Sequence, residues 1–283
     1  MKKRLSLGQK STLLSLALFG VILLIWQLAT LPDAQVVAAD VDPEYAALMG
    51  GGTTTTASSF PTPAAMGQTV WEKLSDPFYD NGPNDKGIGI QIAHSLVRVL
   101  GGFLLAAAVA IPVGFLIGNS RVFYAALNPY VQVLKPISPL AWMPLALYTI
   151  KDAEASSIFV IFICSLWPML INTALGVANV RRDWLDVSRT LEVNPLRKAF
   201  RVILPAAAPT ILTGMRISMG IAWLVIVAAE MLVGSSGIGY FVWNEWNNLS
   251  LTNVLFAILM IGVVGMALDS IFGVLGKRVA YQE

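Results

Sequence analysis

The chain has 283 residues, 56% of them hydrophobic and 13% charged, with a net charge of +2. That balance, with a mean hydropathy of +0.68, is too apolar for an ordinary soluble domain. One cysteine, Cys164, and one histidine, His94, exclude a disulfide framework and any multi-cysteine or multi-histidine metal site.

Six stretches are apolar enough to cross a bilayer, which takes about 20 residues: 12–31, 99–118, 127–150, 156–177, 206–233 and 253–276. The fold class expected is all-α, a polytopic membrane protein of six transmembrane helices. Residues 1–31 form an N-terminal tail and first span, 32–87 an external segment, 88–276 a core and 277–283 a tail. The first span is longer than the 7–15 apolar residues of a signal core, so a retained helix is expected. The alternative is cleavage near Val37-Ala38-Ala39. Gly50-Gly51-Gly52 followed by Thr53–Thr56 reads as a flexible stretch, and Pro77-Phe78-Tyr79 with Asn81-Gly82 as tight turns.

Orientation follows from the basic residues. With the N-terminus in the cytoplasm, the inner side holds Lys2, Lys3, Arg4, Lys10, Arg121, Arg181, Arg182, Arg189, Arg197, Lys198, Arg201, Lys277 and Arg278. The outer side holds only Lys73, Lys86 and Lys151. This asymmetry is the basis for expecting a cell inner membrane protein with both termini in the cytoplasm.

The third span carries Pro129, Pro136, Pro139 and Pro144, so it is expected to be kinked or partly unwound. Ionisable groups within spans are functional candidates. Arg98 is expected near the outer surface, reaching either headgroups or an anion funnel. Lys135 and Arg216 are expected deeper. Arg216 cannot reach Glu230 along one helix, since 14 residues correspond to about 21 Å. It must pair with another helix or face the pathway, and the structural alternative is that it hydrogen-bonds carbonyls of the proline-broken helix. Trp142, Met143, Trp167, Asn172, Trp223 and Glu230 complete the candidate pathway set, with packing as the bland alternative for the aromatic and methionine residues.

Between the fourth and fifth spans, 181–205 reads as two short amphipathic helices hinged at Asn194-Pro195 and closed by Leu204-Pro205. Val187, Leu191 and Leu196 can form an apolar ridge of the helix-in-groove kind. The alternative is a basic segment lying on anionic lipid.

Asp186-Val187-Ser188, Glu192 and the close Ile203-Leu204-Pro205 resemble the cytoplasmic signature of permeases of binding-protein-dependent ABC importers. In that signature an acidic-Ala-Ala triplet is followed by a Gly, for which Glu192 stands here. Lys135–Leu145, Thr213–Ile217, Ala222-Trp223 and Ala228–Met231 resemble the nitrate, sulfonate and taurine branch. Asp76–Gly89 is similar to the external lead-in of cyanobacterial-type nitrate and bicarbonate permeases. The resemblance implies a type I ABC importer permease fold, with Asp186, Val187, Ser188, Leu191, Glu192, Val193, Asn194, Pro195 and Leu196 coupling to an ATPase. It implies a second copy of the chain, two ABC ATPase subunits (alike or different) and an external solute-binding protein, with no nucleic-acid partner. No cofactor is expected on this chain, since no P-loop occurs and ATP and Mg would bind the partner subunits. The implied cargo is a small oxyanion, nitrate first and nitrite with it, with bicarbonate as the alternative and sulfonate or taurine further off. A passive anion channel, or an intramembrane serine protease built on Ser236 and His94, are the competing classes.

Overall fold

The computed structural model describes residues 7–30, 60–82, 85–234 and 236–279. The stretches 37–39 and 50–56 lie outside the described residues. Every named element is helical, and the only strand-like pairing among the described residues is an isolated bridge between Asp80 and Lys86. The elements are α1 (Leu7–Ala29), α2 (Pro63–Ser75), α3 (Ile88–Asn119), α4 (Arg121–Leu134), α5 (Pro139–Ile150), α6 (Ala153–Ala178), α7 (Arg182–Thr190), α8 (Pro195–Lys198), α9 (Leu204–Val233), α10 (Ile238–Asn247) and α11 (Leu251–Val279).

The centre of the bundle is α6, flanked by α3 on one side and α9 on the other. Small residues set these close crossings. A Cβ on Gly114 would lie 2.7 Å from Thr173 Cβ, and one on Gly214 would lie 2.6 Å from Asn172 Cβ. In a bilayer, where burying apolar surface between helices gains little over lipid, such backbone approach is a main source of association. By contrast, α1 touches the rest through α2: Trp26 Nε1 donates to Pro61 O at 3.0 Å, and its ring meets Phe60 edge-on. Thr62 caps α2 by accepting from Ala65 N at 3.2 Å, with Pro63 in the first turn where its missing N–H costs nothing.

Five helices among the described residues are long and apolar enough to cross a membrane. The expected sixth is not one helix. The third span is divided into α4 and α5, because Pro136 and Pro139 provide no amide hydrogen to continue the ladder across Lys135–Ser138. Two further expectations are corrected. The second span begins at Ile88 rather than near 99, so His94 and Arg98 are helical. The second half of the 181–205 loop is no separate helix. It runs from α8 through a π-helical segment, Ala199–Ile203, directly into α9, giving an apolar unit Pro195–Val233 of 39 residues.

On the side bearing α2, the chain enters α3 through a tight corner. Gly87 N donates to Tyr79 O at 2.7 Å and Gly89 N to Pro77 O at 2.7 Å. Burial and a hydrogen bond to Asp85 push the Tyr79 phenol up to about 12. The Gly82 amide, then Lys86 at 3.3 Å, hold the Asp80 carboxyl below its ordinary range.

Candidate functional site

The loop between α6 and α9 forms a stiff corner. Its helix α7 ends in a Schellman motif: Val193 N donates to Ser188 O and Glu192 N to Arg189 O, both at 3.0 Å. The residue that must turn left-handed in this motif is Glu192, at φ 49°. The turn expected from glycine is therefore kept by a strained side-chain-bearing residue. Asn194 then caps the next helix, its Oδ1 accepting from Leu196 N at 3.0 Å, with Pro195 at the first position.

The corner's outward face is apolar. Val187, Leu191 and Leu196 are 58%, 69% and 70% exposed, so the expected ridge exists. Trp184 and Phe200, absent from the expected ridge, extend it at helical spacing. Asp186 is paired with Arg189 at 3.1 Å on the surface. The inner face is anchored: Ser188 is buried with its hydroxyl donating to Leu185 O at 2.7 Å. Leu185 packs on a cluster of Val177, Val180, Ile203, Ala207 and Ile211. A push on α7 therefore reaches the ends of α6 and α9 through packed side chains.

At the break between α4 and α5 lies a cavity of about 510 Å³. Lys135, Trp142, Trp167 and Asn172 line it together with Ser138, Cys164 and Ile217. Two structural features shape its wall. Pro168 cannot donate to Cys164 O within α6, and Asn172 Nδ2 is turned back onto Pro168 O at 2.8 Å. The first turn of α5 opens at Ser138, whose side chain does not cap it, so the positive end of the helix dipole faces the break. No carboxylate lines the cavity.

Arg98, Met143, Arg216, Trp223 and Glu230 lie outside that lining. Arg98 and Glu230 are 5% and 2% exposed and pair at 3.0 Å, so Arg98 does not reach toward headgroups as expected. Arg98 also donates to Ser236 O at 2.7 Å and Ser236 Oγ at 2.8 Å. Glu230 accepts from Ser95 Oγ and from Gly239 N at 3.0 Å. Gln91 Oε1 accepts from Gly237 N at 2.6 Å. The network ties α3 and α9 to the turn before α10. Gln91 and Ser95 were not anticipated; their signal was the polar spacing Gln91, Ser95, Arg98 on one helical face. Ser236 Oγ is engaged by Arg98, and His94 is exposed with no hydrogen bond to Ser236, so no serine–histidine pair exists here.

Arg216 does not bond the broken helix. It meets Asp269 of α11 through two parallel contacts, Nε to Oδ1 at 2.6 Å and Nη2 to Oδ2. Asp269 was missed because nothing in a single sequence shows which helix faces Arg216. Trp223 is spent on packing, its Nε1 donating to Ile261 O at 3.0 Å, and Met143 is 1% exposed in the core.

Residues 110–281 match the family of binding-protein-dependent transport system inner membrane components. The chain is 45% identical over 226 residues to a nitrate import permease protein, NrtB, of Synechocystis sp., covering 80% of this chain and 82% of that one. It is 42% identical over 208 residues to a bicarbonate transport system permease protein, CmpB, of the same organism, covering 73% and 74%. In three dimensions it resembles a chain of the methionine ABC transporter MetNI in an inward-facing conformation. The TM-score is 0.61 at 12% identity, over 68% of this chain and 95% of that one. A helical bundle with a stiff cytoplasmic-type corner, a proline-broken membrane helix and relatives of this closeness fit one description: the chain belongs to the binding-protein-dependent transport system inner membrane components.

Proposed function

We propose that this chain is the membrane permease of an ATP-driven importer of a small oxyanion, nitrate first, working as a homodimer with two ATPase subunits and an external binding protein. ATP and Mg would be held by the ATPases, and both termini would lie in the cytoplasm, as the basic residues favour. The ridge Val187–Leu191–Leu196, flanked by Asp186, Ser188, Glu192, Val193, Asn194 and Pro195, is the element assigned to meet an ATPase groove. Closure of the ATPases would move α7 and, through the cluster around Leu185, tilt α6 and α9. The external segment before α3, with its ordered corner at Pro77–Gly89, is assigned to the binding-protein side.

The cavity at Lys135 carries the reading. A cation beside a helix N-terminus, with no carboxylate in the lining, suits a small planar anion and disfavours a cation or a neutral solute. Nitrate ranks above bicarbonate because the nitrate import permeases reach 45% identity over more of the chain. Bicarbonate is retained as the second reading on the 42–44% identity of its permeases.

The test is uptake of labelled nitrate and of labelled bicarbonate by the complete complex in proteoliposomes, for the natural chain and for Lys135→Gln. Nitrate uptake is expected, and Lys135→Gln should lower it at least about tenfold, the loss of one charge-assisted contact, while ATP hydrolysis persists. Unchanged uptake in Lys135→Gln would remove the assigned site, and bicarbonate uptake alone would reverse the ranking.

A further inference from the structure

A second cavity, of about 390 Å³, lies along α4 and shares Lys135 and Ile171 with the first. Arg121, Tyr124, Asn128, Gln132 and Lys135 line one of its sides. These positions advance by three or four residues at each step, so they form one face of a single helix. The opposite wall is apolar: Leu170, Ala174 and Leu175 of α6 with Ile117 of α3. From Arg121 to Lys135 is 14 residues, or about 21 Å along a helix. That spans more than half of a hydrocarbon core about 30 Å thick.

The cations on this face differ from the two arginines that are paired between helices. Among the described residues, Arg98 and Arg216 are each neutralised by a carboxylate. Arg121 and Lys135 have no described ion-pair partner, and no carboxylate lines either cavity. Arg121 and Lys135 are exposed along this open lining, so an anion can approach both and be held there by charge. Between the two cations stand donors matched to oxygen atoms: the Tyr124 hydroxyl and the Asn128 and Gln132 amides.

We propose that the α4 face is a second anion-binding lane, running from the Lys135 cavity to a mouth at Arg121, and that Arg121 is a specificity-determining residue for release of a small oxyanion. The proposal rests on the reading that the Lys135 cavity belongs to the pathway. An anion leaving Lys135 would pass to the amides and then to Arg121, so it is never without a donor over the distance. The lane excludes cations by the two like charges at its ends.

Charge can be read there without relying on transport. The complete complex would carry Gln132→Cys in a Cys164→Ser background, opened to the cytoplasmic side in inverted vesicles. The introduced thiol is treated with an anionic or a cationic methanethiosulfonate, each rate is taken relative to that reagent's rate with a free thiol in solution, and labelling of the permease is followed by mass spectrometry. The anionic reagent is expected to react faster, nitrate to slow it, and added Arg121→Gln to cut the anionic preference at least about twofold, as loss of a unit charge about 16 Å away along α4 predicts in water. Arg121→Lys should restore the preference. Equal rates for the two reagents, no reaction with either, or a preference indifferent to Arg121→Gln would each overturn the lane. The outcomes separate from the earlier reading through uptake. Loss of nitrate uptake in Lys135→Gln with an unchanged preference in Arg121→Gln sinks the lane alone, whereas intact uptake in Lys135→Gln sinks the pathway reading beneath it.

Discussion

Replacing Glu230 with Gln should destabilise the protomer more than any change at the surface of the coupling corner. Arg98 and Glu230 are both nearly sealed from solvent, with side-chain exposures of 7% and 2%. Gln is close in volume, so packing is preserved and only charge is removed. Arg98 would then keep Ser236 O and Ser236 Oγ but lose its neutralising partner, since Glu154 stands 3.9 Å off and is itself mostly exposed. Removing one member of a buried pair costs about 3–5 kcal/mol, because the other charge is left uncompensated. Two features move the estimate toward the lower end: Arg98 retains neutral acceptors, and Glu154 can approach. The assay is thermal unfolding of the purified complex, followed by loss of native helical signal and by proteolysis of the turn between α9 and α10. The double variant Arg98→Met with Glu230→Gln should recover most of the loss, because no buried charge then remains. A Glu230→Gln protein as stable as the natural one would refute the reasoning. So would a double variant less stable than both singles, since the pair would then not be the coupled unit.

Two other outcomes follow from local geometry. Glu192 is left-handed in the turn that ends α7, so Glu192→Gly should relieve about 1 kcal/mol of backbone strain, read as roughly fivefold slower hydrogen exchange at the Leu191 and Val193 amides; unchanged or faster exchange counts against it. Tyr79 is pushed up to about 12 from 10.0 by burial and Asp85. Its folded state thus holds the proton where an unfolded phenol loses it, so stability of the Pro77–Gly89 corner is full below pH 10 and falls as pH rises from 10 toward 12. Phenolate absorbance compared with Tyr79→Phe should show the missing titration in that window, and ionisation at about 10 would contradict the burial.

Much of the fold was legible where backbone chemistry dictates it. Prolines at 136 and 139 foretold the break at Lys135–Ser138 because a missing N–H acts locally. The ridge of Val187, Leu191 and Leu196 was legible from spacing, although the continuous run from Pro195 into α9 was not. A π-helical segment such as Ala199–Ile203 lets a helix continue with a local change of register, and no composition marks it. The start of α3 was misjudged for a different reason. Hydropathy treats Gln91, Ser95 and Arg98 as residues seeking water, whereas here Glu230 and backbone amides satisfy them. Of the candidate pathway residues, the four that share a cavity come from the α4–α5 break, α5 and α6, and their convergence depends on a tertiary arrangement one sequence does not encode visibly.

The coupling corner and the Lys135 cavity are mechanically close although they are far apart in sequence. Along α6, Val177 belongs to the cluster under Leu185, and Asn172 belongs to the cavity. Five residues separate them, about 7.5 Å along the helix. Along α9, Ile211 belongs to the same cluster and Ile217 to the cavity, about 9 Å apart. Neither path crosses a loop, and the close approach of Gly214 to Asn172 joins the two helices between these levels. Helices packed this tightly move as units rather than bending. A displacement applied to α7 would therefore reach both cavity walls, while α4, with no fully buried residue, meets the core through the half-buried Leu127 and Val131. Relative motion between the α6–α9 wall and the polar face of α4 would change the width of the proposed lane between Lys135 and Arg121.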